Sequence, residues 1–285
     1  MIPDIQSIIN EINSSKLETI YSSFRNLFSI LRPAFRKFTL TPGHKFLFRV
    51  RCHTEGDGKY FFNNLSDLTY RTDLLNIKKF GRCNQPFQSL FYCSDEEMLS
   101  FAEVSEIVRT ENKKDTAYHT TSVWKMNTDL IVTSIFEPDN TDTENKDLID
   151  ITKNCLEQID LTKHAIEKED LKLVFKIVAN EFTKPFSTDN KAYLFSSAIA
   201  NYFLDTISTE NEVIDGIVYP TCLGKNGIRN LGLNYVFRTN VIGFDNKIEF
   251  YDAYRSRMDK VENEYRQTEI IKFKKANKFS GEIFW

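Results

Sequence analysis

The chain switches repeatedly between two hydrophobic periods, and that switching limits the folds open to it. Residues 46–52, FLFRVRC, alternate with period two, with Phe46, Phe48 and Val50 on one face and Leu47, Arg49 and Arg51 on the other. Such alternation predicts a strand. A polar, glycine-containing turn, HTEGDGK, follows it. A short aromatic strand is predicted at 88–94, QSLFYCS, and at least one strand at 122–136, SVWKMNTDLIVTSIF, where β-branched and aromatic residues dominate. VIDGIVYP at 213–220 reads as a buried strand stopped by proline, and 231–251 holds further strand. Between these runs the period lengthens. Residues 95–109, DEEMLSFAEVSEIVR, predict a helix, with Asp95, Glu96 and Glu97 placed where acidic side chains meet the positive end of the helix dipole. Helices are also predicted at 148–160, 169–182 and 191–207, the last with a small-residue pattern, SSAIANYF, suited to close packing. Steps of three and four from Ile5 to Leu31 predict one or two amphipathic helices ended by Pro33. The expected class is α+β (mixed α/β), built on a split, mostly antiparallel sheet with the N-terminal helices packed outside it.

Composition narrows the functions. Thirty-seven basic residues against 40 acidic leave a net charge of −3, so no global positive field draws the chain to nucleic acid. The tail 255–278 carries eight Lys or Arg against four Asp or Glu and reads as a solvated helix face. No stretch approaches the ~20 apolar residues that a membrane helix needs. The start, MIPDIQSIINEINSSK, lacks the basic end and apolar run of a signal peptide. The cysteines (Cys52, Cys83, Cys93, Cys155, Cys222) are odd in number and scattered, which suits a reducing, cytoplasmic location. Four histidines (His44, His53, His119, His164) form no HExxH motif and no CxxC pair exists, so no metal is expected. The sequence contains no GxGxxG, no GxxxxGK[ST] and no GxSxG, the usual marks of dinucleotide redox enzymes, P-loop hydrolases and serine hydrolases. Gly224 and Gly227, in CLGKNGIRN, read as a surface turn, and residues 137–147, EPDNTDTENKD, as a loop.

The chemistry-bearing residues gather at 81–106, GRCNQPFQSLFYCSDEEMLSFAEVSE. A guanidinium, Arg82, precedes a turn; a phenol, Tyr92, lies ten residues on in a strand; a carboxylate, Glu103, lies eleven beyond that on a helix. Glu106, one helical turn along, is a lesser rival to Glu103. Each residue alone suits an ordinary role, as surface ion pair, core ring or solvated helix position. Their combination in one strand–helix unit is what suggests a site.

Gly81-Arg82-Cys83-Asn84, Phe91-Tyr92-Cys93-Ser94 and Ala102-Glu103-Val104 together resemble the RES-domain family. Phe48-Arg49-Val50-Arg51 resembles the opening strand of that family, and Leu68-Thr69-Tyr70 its aromatic step before the glycine–arginine turn. Tyr193 with Ser196, and then Asp215-Gly216-Ile217-Val218-Tyr219-Pro220, are similar to its closing half, so the resemblance spans about residues 46–240. Where the family places a serine after the tyrosine–proline pair, this chain has Thr221. The family asparagine downstream is matched to Asn234, with Asn230 as the other candidate.

The resemblance implies an ADP-ribosyltransferase-like fold and cleavage of the nicotinamide–ribose bond of NAD+, by hydrolysis or phosphorolysis, as a toxin paired with an Xre-type antitoxin. NAD+ would be consumed as a substrate, so no cofactor is implied; homo-oligomers are compatible with it. It divides the chain into an N-terminal helical extension (1–40), a RES-like catalytic domain (41–250) and a basic C-terminal extension (251–285). It casts Glu103, Arg82 and Tyr92 as catalytic residues. Arg49, Arg51, Tyr70, Asn84, Tyr193, Ser196, Thr221 and Asn234 become substrate contacts, with Arg49 or Arg51 a second cation for the pyrophosphate. Transfer of ADP-ribose to a macromolecule, and a catalytically silent interaction protein of the same fold, are the alternatives.

Overall fold

Strands and helices alternate irregularly along the chain. In order they are β1 (Lys37–Leu40), β2 (Phe46–Cys52), α1 (Leu65–Leu68), β3 (Phe91–Ser94), α2 (Glu97–Val104), β4 (Thr116–Met126) and β5 (Leu130–Ser134). There follow α3 (Lys168–Phe182), α4 (Leu194–Asn201), β6 (Gly216–Pro220), β7 (Leu233–Phe237), β8 (Ile242–Gly243), β9 (Ile248–Val261), β10 (Glu264–Lys272), β11 (Lys275–Ala276) and β12 (Ile283–Phe284). The class is α+β, with a mostly antiparallel sheet. The structure, a computed structural model, describes residues 37–43, 45–53, 62–105, 108, 116–136, 150, 153, 157, 168–185, 187, 189, 192–206, 213–221, 232–261, 264–278 and 280–285. The expected helices over 4–31, the loop at 137–147, most of the helix at 148–160, Glu106, Asn230 and the glycines of CLGKNGIRN lie outside the described residues. No helix among the described residues is long and apolar enough to cross a membrane.

The chain divides into two compact units. The first comprises 1–40, 73–88 and 130–233; the second comprises 41–72, 89–129 and 234–285. In the first unit β1 runs antiparallel to β5, and β5 runs parallel to β6, with Val132 opposite Gly216. A parallel neighbour needs a crossover connection, and α3 and α4 lie between β5 and β6 in the chain. Ring contacts lock this layer, Phe136 against Phe175 at 4.8 Å and Phe182 against Tyr219 at 5.5 Å. Helix α4 is buried from Phe195 to Asn201, its serines and alanines allowing the close approach that the sequence predicts. It stops at Asn201, and Tyr202–Thr206 continue as a wider π-helical turn.

In the second unit the strand order is β7-β3-β2-β4-β9-β10, antiparallel throughout, with β8 added in parallel to β9. Residues 122–136 become two strands, β4 and β5, and β4 begins earlier than expected, at Thr116. The tail is also corrected. The expected helix over 255–278 is instead the second half of β9 followed by β10, so a boundary after residue 250 falls inside a strand. Lys, Arg and Glu favour helix intrinsically, but Arg255, Ser256 and Met258 are buried against β4. The charges of β10 are mostly exposed, on a strand at the end of the order, where charged side chains discourage further pairing. Helix α2 is shorter than 95–109, because Ser105 turns to extended backbone at its C-terminal end.

Candidate active site

Glu103 lies in the last turn of α2, so what holds α2 sets where its carboxylate points. Paired strand residues share a face, so Val50, Ser94, His119, Thr121 and Asn234 lie on one side of the second unit's sheet. Helix α2 packs on that side. Phe101 joins Val50 and Met258 in a small buried cluster and tilts against His119 at 4.9 Å. The Ser100 hydroxyl lies within hydrogen-bonding reach of the Phe48 carbonyl and the Ser94 hydroxyl, and the Ser94 hydroxyl within reach of the Glu96 carbonyl, so the two hydroxyl protons serve two of these three contacts at a time. At the far end Asn234 Nδ2 donates to Glu103 Oε1 at 3.0 Å. Asn234 is buried and Glu103 half-buried. Tyr92 is also half-buried and shares this face, since it pairs with Val236 two residues along β7 from Asn234.

Three of the expected site residues, Tyr92, Glu103 and Asn234, therefore share one sheet face. Arg49 and Arg51 do not join them. Both alternate to the opposite face, with Leu47, Ser122 and Trp124. The Arg49 Nη1 donates to the Tyr92 carbonyl at 2.9 Å, and the Arg51 Nη1 to the Asp67 carbonyl, contacts with backbone rather than with the Glu103 side. Tyr70 is half-buried, shortly after α1.

The remaining residues belong to the first unit. The Arg82 Nη1 donates to the carbonyl of Phe182, the last residue of α3, and Nη2 to that of Lys184 at 2.8 Å. A cation there complements the negative end of the helix dipole and satisfies a carbonyl left without an intrahelical donor. The guanidinium also lies 5.1 Å from the centre of the Tyr193 ring. Tyr193 is buried and its hydroxyl accepts from the Ser187 amide at 3.2 Å; the Ser196 hydroxyl, also buried, donates to the Tyr193 carbonyl at 3.3 Å. The Asn84 carbonyl closes its turn by accepting from the Gly81 amide at 3.0 Å. Thr221 is half-buried, directly after β6.

Sequence reasoning missed a polar network around the other end of α2. The Thr121 hydroxyl donates to Glu97 Oε1 at 3.3 Å, and Gln267 Nε2 reaches the same oxygen at 3.4 Å and the Ser256 hydroxyl at 2.8 Å. Ser256 bonds His119 Nε2 at 2.8 Å. Burial, and then the neighbouring His53 ring, push the His119 pKa down to about 4, so the ring is neutral at pH 7. Burial and the Glu97 carboxylate raise the Tyr254 phenol. Glu97 reads from sequence as a first-turn charge. Its partners come from β4 and β10, which only the strand register brings near. No protein-family model matches the chain, and no curated protein matches it.

Proposed function

We propose that the chain cleaves the nicotinamide–ribose bond of NAD+, releasing nicotinamide by hydrolysis or phosphorolysis. The supporting observation is the Glu103 carboxylate, oriented by the buried Asn234 amide on the sheet face that also carries Tyr92. Cleavage of this bond passes its electron pair to the ring nitrogen, which loses its positive charge, while C1′ develops oxocarbenium character. A fixed carboxylate stabilises that charge and can accept the proton of the attacking water or phosphate oxygen. An amide donor holding one carboxylate oxygen fixes the direction of the other, which is the preorganisation such a step needs. Tyr92 offers a ring to stack on nicotinamide or ribose and a hydroxyl to bond them. Arg49 and Arg51, on the opposite face, are left out of this site. In a cell, sustained loss of NAD+ would make the chain a toxin, and an Xre-type partner would be its antitoxin.

The test is to incubate the pure full-length chain with NAD+, with and without phosphate, and to quantify nicotinamide and the ribosyl product. Nicotinamide released with ADP-ribose marks the hydrolase. A product carrying an added phosphate marks the phosphorylase. No nicotinamide above the enzyme-free control, in either buffer, overturns the proposal.

A further inference from the structure

Helix α2 lies across the strands of the second unit rather than along them. Through Glu97 its first turn meets Thr121 of β4 and Gln267 of β10, and through Glu103 its last turn meets Asn234 of β7. In the strand order β7-β3-β2-β4-β9-β10 it therefore bridges the boundary between β3 and β2. That boundary is thin. Strand β2 pairs with β4 at seven positions and β3 with β7 at four, but β2 and β3 pair only where Phe48 faces Ser94.

The two halves of the proposed site stand on either side of it. Phe101 fastens α2 to Val50 of β2 and Met258 of β9, which ties the helix carrying Glu103 to the β2 side. Tyr92 and Asn234 belong to the β3–β7 pair on the other side. Cross-strand pairs are the unit of sheet stabilisation, so a single pair does little to stop the halves sliding past each other. The polar tie sits at that very pair. Ser94 and Ser100 are buried, and their hydroxyls meet at 2.5 Å between the Phe48 and Glu96 carbonyls. Each way of placing the two protons keeps the start of α2 bonded to Ser94. Ser100 precedes Glu103 by three residues, on nearly the same helix face, and Ser94 is the residue opposite Asn234 in the β3–β7 register. The hydroxyls thus join a neighbour of Glu103 to a neighbour of Asn234.

We propose that Ser94 and Ser100 are positioning residues, pinning α2 across the β2–β3 boundary so that Glu103 meets the Asn234 amide. Their part in catalysis rests on the reading of Glu103 as the carboxylate of NAD+ cleavage. Misplacing a reacting group by about 1 Å can cost on the order of 10² in rate. Ser100→Ala and Ser94→Ala should each lower kcat for nicotinamide release about tenfold and leave KM within about twofold, since no substrate contact is lost. Should one variant fail to fold, the other carries the test. In a Glu103→Gln background neither should lower the remaining rate further, because no carboxylate is left to place. Ser122 accepts from the Trp124 indole on the opposite face, so Ser122→Ala controls for a lost buried hydroxyl: a lower urea midpoint with unchanged kcat. The Asn234 side-chain amide resonance reads the same contact by NMR without turnover. Both serine variants should move it toward its position in Glu103→Ala, and Ser122→Ala should leave it in place. The proposal fails if the folded serine variants keep the wild-type kcat, or if the Asn234 resonance does not move. A wild type that releases no nicotinamide overturns the NAD+ reading alone, and the resonance then decides the positioning.

Discussion

The two faces of the second unit's sheet differ in charge and in what covers them, although the same strands build both. On one, α2 brings carboxylates, Glu97 and Glu103, onto a surface of hydroxyls and amides supplied by Ser94, Thr121, Ser256 and Asn234. On the other, Arg49, Arg51 and Arg255 meet the rings of Phe91, Phe62 and Trp285. In β2 a single residue step separates the two environments: Phe48 and Val50 belong to the acidic side, Arg49 and Arg51 to the basic one. Strand alternation thus sorts opposite charges onto opposite faces, where a sheet's thickness and backbone keep them from neutralising each other. A chain that folded them together would spend these charges on internal ion pairs.

The sharpest way to break the comparison is at Glu103. If the helix-covered face carries the chemistry, Glu103→Gln should lower kcat for nicotinamide release about 10²- to 10⁴-fold, the range expected of a lost acid–base group. Its urea midpoint should stay close to wild type, because glutamine keeps the shape and can still accept from Asn234. Equal activity in the variant would strip this face of its assigned role.

The Glu103 face should also carry a pH signature, through His119. His119 has a folded pKa near 4 against an ordinary value of 6.5, chiefly through burial. Above pH 6.5 the ring is neutral folded or unfolded and costs nothing. Between 6.5 and 4 the unfolded chain binds a proton that the folded chain refuses, so stability falls as pH falls and levels off below 4. The full loss is about 3 kcal/mol. Urea unfolding from pH 7.5 to 4 should show it, and His119→Gln should remove that part of the slope. An unchanged slope in the variant would show that His119 takes up its proton while folded.

Alternation was legible because it is local: FLFRVRC, FYCS and GIVYP become β2, β3 and β6 at nearly the positions read from the sequence. Glu103 with Tyr92 was legible as a strand followed by a helix, and their common face follows from that order. The separation of Arg49 and Arg51 from Glu103 was not, although the alternation already divided β2 into two faces. Which face α2 would cover depends on Phe101 finding Val50 and Met258, a residue more than 150 positions away. The tail failed for a related reason. Helix propensity is a sum over neighbours, while β9 owes its state to eleven paired positions on β4. Arg82 shows a third limit: a fork that suits a pyrophosphate equally suits the carbonyls at the end of α3, and only the fold brings α3 there.

The smallest expected effect lies on the arginine face, at Trp285. Its ring covers the Arg255 guanidinium at 3.6 Å and its indole N–H donates to Phe62 O at 2.8 Å, the carbonyl that also accepts from Arg255. Burial brings the Arg255 pKa down to about 10, a sign of how little water attends it. A desolvated cation–π contact contributes about 1–2 kcal/mol and a neutral hydrogen bond about 1. Trp285→Ala loses both, but water can reach the vacated edge and recover part of each, so the net loss should be about 2 kcal/mol by urea unfolding. Trp285→Phe keeps a ring and loses the donor, and should fall about halfway. The two faces should also part company here. Neither variant should alter the kcat of nicotinamide release. A fall in kcat would place part of the chemistry on the arginine face.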